Sequence, residues 1–195
     1  MNSEKRKNNA FTLIELLTVI AVIAILSSIL IPTASSVIRQ SRIASYKATL
    51  WQYITAIEQF KAEYNYYPQV YVDDVNDNGR IGFSTISNSQ KFVETLSGRA
   101  HNTGNPIEEG GNYRKIQFYS FSEKEFVDNG NGNYSSNRLS DPFNNTNINI
   151  MIDVNGDGII RPYSNSNPVS PGEIKGTATA WVVGNATEPG YALWE

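Results

Sequence analysis

The chain has no cysteine, one histidine and little charge for its length of 195 residues. Without cysteine there is no disulfide framework, no thiolate metal site and no thiol nucleophile. Bracing must come from packing or from a metal held by oxygen. The one histidine, His101 in RAHNTGNP, has no cysteine for a dyad and no legible triad around it, so it is expected to be a surface loop residue. Charged residues make up 18% of the chain and the net charge is -3. Lys5, Arg6 and Lys7 are opposed only by Glu4 in the first ten residues, so the remainder is more acidic than the whole. No basic stripe follows, and a phosphate-binding surface needs clustered lysine and arginine, so no nucleic-acid partner is expected. GNYRK carries no phosphate-loop pattern, and Glu108 and Glu109, flanked by glycine, read as a solvated turn rather than a catalytic pair. No enzyme activity is expected.

What is present is distributed unevenly. The length suits one domain with a core plus an appendage. Phe11 to Ile31 is an apolar run with a single charge, Glu15, and matches the roughly 20 residues that a helix needs to cross a bilayer core. A secretory signal peptide would have a shorter apolar stretch followed by a small-residue cleavage box. Here the small residue, Ala10, precedes the run, and Pro32 follows it. A carboxylate inside such a run costs roughly 2.5 to 3.5 kcal/mol on insertion scales, so Glu15 calls for a partner or a role. It could snorkel into headgroups, or it could pair with a cation. The basic residues just before the run place that end in the cytoplasm by the positive-inside rule.

Beyond Pro32, the residues Ile43, Tyr46, Leu50, Tyr53, Ile54, Ile57, Phe60 and Tyr64 recur at steps of three and four, the mark of an amphipathic helix. The helix should continue to about residue 66, with a kink or local melting at Pro32 and an end set by Pro68. Residues 67–195 should then supply a sheet to cover the stripe. RKIQFYSF (114–121), NINIMID (147–153) and TATAWVVG (177–184) read as strands, separated by Asn, Gly, Asp and Pro clusters. SQKFVETLS (89–97) reads as a short helix capped by Ser89 and closed by Gly98, and 122–146 as loop. Trp51 is expected at an interface, and Trp181 and Trp194 are expected to seal the sheet. The fold class is α+β, a long N-terminal helix packed on a small antiparallel sheet with long loops.

Two stretches share a pattern: DVNDNGRI (74–81) and DVNGDGII (153–160). Each has Asp or Asn at positions one, three and five, then glycine, as a calcium loop begins. Asp153, Asn155 and Asp157, with the carbonyl of Ile159, form one candidate metal site, and Asp74, Asn76 and Asn78 form a weaker one. The bidentate glutamate usual at position twelve is replaced by Thr85 and Ser164. A plain hairpin turn is the alternative for 153–160, because N-G and D-G are strong hairpin signals, and a turn and a bound ion can coexist.

The run KRKNNA followed by FTLIELLTVIAVIAILSSILIP resembles the N-terminal signal of type IV prepilins and type II secretion pseudopilins: a short basic leader, a small residue, Phe, then T-L-I-E. That family usually has glycine where this chain has Ala10. The resemblance implies cleavage between Ala10 and Phe11 by a prepilin peptidase, methylation of the new amino terminus, a role for Glu15 in assembly and a helix-kinking role for Pro32. It implies four segments: a leader (1–10), a transmembrane and filament-core helix (11–31), its amphipathic continuation (32–66) and an exported globular sheet domain (67–195). The implied setting is the bacterial inner membrane, crossed once, with the C-terminal domain periplasmic. The implied partners are further copies of the chain in a homopolymer, minor pseudopilins, the prepilin peptidase and the secretion assembly platform. The resemblance runs closest to the major pseudopilin of type II secretion, with a type IV pilus subunit serving adhesion, motility or DNA uptake as the alternative. The lack of a cysteine pair favours the pseudopilin. DPFNN (141–145) resembles a diverged form of a D-P-W-G-N-P-Y stretch in those pseudopilins, which also carry a C-terminal structural calcium loop.

Overall fold

A computed structural model describes residues 11–70, 73–75, 78–130, 134–162 and 168–194. Ala10, with the rest of 1–10, and Asn76 lie outside the described residues. The chain forms two compact units, one up to Arg42 and one from Ile43. Helix α1 (Leu13–Tyr64) contributes to both.

In the first unit every large apolar side chain from Phe11 to Ile38 is at least 47% exposed. This is the one helix among the described residues that is long and apolar enough to cross a membrane, and none of its most apolar window is buried. Its hydroxyls turn back onto the helix: Thr18 donates to the Glu15 carbonyl, Ser28 to Ile25 and Thr33 to Leu30. Such bonds hide polar donors from an apolar solvent. The backbone stays helical through position 32, so the expected local melting is absent. Proline removes the N–H that would bond the Ser28 carbonyl, and the hydroxyls of Thr33 and Ser35 bond the carbonyls that follow it, those of Ile29, Leu30 and Ile31.

In the second unit the predicted stripe is the core. Tyr46, Leu50, Tyr53, Ile54, Ile57 and Phe60 are buried, and the helix ends at Tyr64 because Asn65 adopts a left-handed φ of 61°. The stripe packs on a five-stranded antiparallel sheet. Its strands are β1 (Asp73–Val75), β2 (Asn78–Gly82), β5 (Ile148–Ile152), β8 (Ala178–Val182) and β9 (Tyr191–Ala192), adjacent in that order. Ile81, Ile150 and Ala180 lie side by side across three strands, and Ile148 faces Val182. These residues join the helix stripe in one cluster. On the opposite face Met151 and Trp181 meet Ile160, Ala192 and Trp194, with the two indole rings 5.5 Å apart. Both faces of β5 are therefore covered, which suits its continuous INIMI. Two ribbons complete the unit: β3 (Phe126–Asp128) with β4 (Tyr134–Leu139), and β6 (Ile159–Ile160) with β7 (Ile174–Lys175).

Several expectations fail for identifiable reasons. Segment 114–121 is not a strand. Phe118 and Tyr119 both give their N–H to the Leu96 carbonyl, Ile116 gives its N–H to Asn112 Oδ1, and the aromatic rings fill the core beside Tyr53. Segment 122–146 is not all loop, since β3 and β4 lie within it. Helix α2 (Ile86–Ser97) is capped by Thr85, while Ser89 is buried inside it and accepts the Leu139 N–H. Gly98 closes α2 as expected, at φ 64°. Trp51 is 53% exposed on α1.

Polar side chains tie these elements together. Asn112 is fully buried, donates to the carbonyls of Thr95 and Ile116, and accepts from Ile116 N and Tyr64 Oη. Asp141, in DPFNN, accepts the N–H groups of Phe143 and Asn145 and the hydroxyl of Tyr191. Burial above all pushes its carboxyl upward from its ordinary value. Glu125 accepts Tyr53 Oη at 2.6 Å and Tyr119 Oη at 3.1 Å.

Burial, reinforced by nearby charges that include Glu125, raises the phenols of Tyr53 and Tyr119 well above their usual range. The unfolded chain ionises these groups near pH 10 whereas the folded chain does not. Their contribution to stability is therefore full below about pH 10 and is lost as pH climbs through the folded values. Denaturation midpoints should fall above about pH 10, and Tyr53→Phe should flatten that fall. Phenolate absorbance should show these tyrosines titrating late.

Candidate functional site

The sequence places two candidate sites in different units, and each has its own geometry. At the start of α1, Thr12 and Glu15 form a reciprocal cap. Thr12 N and Oγ1 donate to Glu15 Oε2 at 2.8 and 2.7 Å, and Glu15 N donates to Thr12 Oγ1 at 3.3 Å. This is a capping box: each side chain satisfies a backbone N–H that the first helical turn leaves unpaired. It also sets a carboxylate at the positive end of the helix dipole. The T-x-x-E spacing inside FTLIE carries that signal, and sequence reasoning passed over it by weighing Glu15 only as a charge in lipid. Among the described residues Glu15 Oε2 takes both Thr12 donors and Oε1 takes none, so one oxygen is open to a further donor. Phe11, one residue before the cap, is 73% exposed.

The second site is the loop between β5 and β6. The hairpin alternative does not describe it, because β5 and β6 belong to different sheets and β6 pairs with β7. Asp153 is 2% exposed and accepts Gly156 N at 2.9 Å and Gly158 N at 2.8 Å. Asn155 Oδ1 accepts Asp157 N, and Asp157 Oδ1 accepts Ile159 N at 2.8 Å. The three side chains are folded over one short loop, and a carboxylate or amide oxygen with one such bond keeps a second lone pair. Asp153, Asn155 and Asp157 could therefore offer oxygen ligands to a hard cation, although the described residues contain no group of three or more His, Cys, Asp or Glu that could hold a metal ion. The Ile159 N–H, followed by lesser contributions that include Arg161, holds the Asp157 carboxyl below its ordinary value.

In the 74–81 stretch Asp74 pairs with Gly79 and Val75 with Asn78 across β1 and β2. Thr85, at position twelve, is the cap of α2. Asn78 is fully buried, donates to the Ile159 carbonyl at 3.3 Å and accepts Arg161 N at 2.9 Å. The fold thus joins the two acidic stretches, which the sequence shows only as separate copies of one pattern.

His101 is not a solvated loop residue. Its Nδ1 lies 2.6 Å from Glu94 Oε1, its backbone N–H reaches the same oxygen, and its side chain is only 16% exposed. Glu94 lies on α2, so the pair fastens the loop after Gly98 to that helix.

Comparison with known proteins bears on the first site. Residues 5–31 match the family model of the prokaryotic N-terminal methylation motif. No curated protein and no solved structure matches the chain. The motif is that of type IV pilin-like precursors, which the prepilin peptidase processes. With it, the exposed apolar helix is compatible with an inner-membrane anchor of a type IV pilin-like protein, and the α+β fold is pilin-like.

Proposed function

We propose that this chain is a structural subunit of a type II secretion pseudopilus, held in the inner membrane until its N-terminal helix enters a filament. The observation that carries the reading is the methylation motif running into the first part of α1, where every large apolar side chain from Phe11 to Ile38 is exposed. Such a surface needs lipid or other apolar helices around it. Cleavage before Phe11 creates an amine that stays cationic when methylated. The open oxygen of Glu15 suits such a cation, either in the same chain or in a neighbour displaced along the filament axis. A buried carboxylate requires a partner of this kind, and an offset pairing sets the register between copies. The absence of cysteine favours the pseudopilus over a type IV pilus.

The test begins with N-terminal sequencing of the membrane-bound protein, where methylated Phe11 is expected as the first residue. Deleting the gene should then abolish export of secreted hydrolases; loss of surface fibres with export intact would assign the chain to a pilus instead. Glutamine also serves at the third position of a capping box, so Glu15→Gln separates the cap from the charge. It should insert in the membrane normally and give no filaments, as should Glu15→Ala. A normal filament yield from Glu15→Gln would reduce Glu15 to a helix cap.

The loop at 153–159 is proposed to hold a structural calcium ion through Asp153, Asn155, Asp157 and the Ile159 carbonyl. Bound there, the ion would neutralise the two carboxylates and brace the link between β5 and β6 in a chain without disulfides. Exported calcium modules bind at about 0.1 to 1 mM. Calcium at about 2 mM should therefore raise the unfolding midpoint by roughly 1 to 7 °C. An unchanged midpoint removes the ion from the account.

A further inference from the structure

We propose that Arg161 is a built-in competitor for the cation of the 153–159 loop, occupying the outer oxygen of Asp157 until a divalent ion displaces it. The inference rests on the calcium reading above and concerns a residue outside the loop pattern itself.

Asp157 is the central side chain of the donor set, and both of its oxygens are engaged. Oδ1 accepts the Ile159 N–H at 2.8 Å, and Oδ2 lies 3.3 Å from Arg161 Nη1. The guanidinium is held from its other side as well, with Nε 3.0 Å from Glu173 Oε1. Arg161 directly follows β6, and Glu173 directly precedes β7, the strand that pairs with it. Its backbone is anchored too, by the bond from Arg161 N to the buried Asn78. The charge is thus tethered at the loop rather than swinging freely on the surface.

An arginine cannot be deprotonated in a protein, so its charge is permanent. A divalent ion brought to Asp157 meets a fixed positive charge on the oxygen it requires. Loading the loop means moving the guanidinium off Asp157 while it stays bonded to Glu173, and unloading lets it return. The side chains of Arg161 and Asp157 are 31% and 36% exposed, so water and salt screen the pair and the exchange is easily reversed. Arg161 then does two things: it holds the loop closed at low calcium, and it raises the calcium concentration at which the loop loads. The identity of position nine, an arginine where a neutral or acidic residue would leave the ion unopposed, becomes the affinity control of the site.

Calcium chloride titrated calorimetrically into the full-length chain in detergent tests this, with Arg161→Gln and Arg161→Met beside the wild type and Asp153→Asn as the site control. Arg161→Met keeps the apolar stem, and unfolding midpoints without calcium verify that each variant is folded. Both arginine variants should bind calcium about three- to tenfold more tightly than the wild type, and Asp153→Asn should not bind. Equal or weaker affinity in both arginine variants, with the wild type still binding, overturns the competitor role and leaves the calcium site standing. No binding by the wild type or by either arginine variant overturns the calcium reading, and this inference with it.

Discussion

A backbone placed where there is no water must bond to itself, and every level of this molecule follows from how α1 meets that demand. In its first unit the helix satisfies its own amides, and its serine and threonine hydroxyls bond back to its carbonyls. What remains outward is hydrocarbon, which is compatible with a membrane anchor. From Ile43 onward the same helix has one apolar stripe, and here the chain provides the cover itself, through Ile81, Ile148, Ile150, Ala180 and Val182 of the sheet. One secondary structure element thus serves two environments, and the change in its side-chain pattern marks where one gives way to the other. The Thr12–Glu15 box belongs to the same logic. The first turn of a helix has N–H groups with no helical partner, and in an apolar setting the side chain that accepts them has to be carried along.

The second unit solves a different problem, that of a small sheet joined by long polar connections with no disulfide. Its solution is a set of buried polar residues that each bond several backbone groups at once. Asn112 links α1, α2 and the loop after it. Asn78 links β2 to the acidic loop, and Asp141 links the DPFNN turn to β9. Leaving such a group unpaired costs about 1 to 3 kcal/mol, more than a single bond contributes when made. These residues therefore specify one arrangement of the loops as much as they stabilise it. The proposed calcium loop sits among them, between β5 and the β6–β7 ribbon, where an ion would act as a further joint.

Periodicity and local chemistry were readable wherever a segment's neighbours lie close in the chain or its two faces have one environment each. The α1 stripe, the cores of β5 and β8 and the glycine that closes α2 are of this kind. The T-x-x-E box was equally readable but overlooked. Segment 114–121 misled because its β-branched and aromatic residues indicate burial, not pairing: its amides bond Leu96 and Asn112 rather than a neighbouring strand. Strand β4, with the sequence YSSNRL, carries no apolar alternation and exists because β3 pairs with it. Ser89 resembled a cap by residue type, yet Thr85 takes that role because the helix begins one turn earlier.

The sequence by itself determined that an apolar helix would need a non-aqueous partner, that its continuation would bury a single stripe, and that Glu15 would stand at the head of it. These follow from spacing along the chain and from the transfer of side chains out of water, both of which are local. Only the tertiary structure decided that Asn78 would bind the second acidic loop, that Arg161 would reach Asp157 and Glu173 together, and that His101 would dock on Glu94. Those pairings join residues whose proximity comes from the strand order of the sheet and the path of the loops, and a linear pattern carries no record of either.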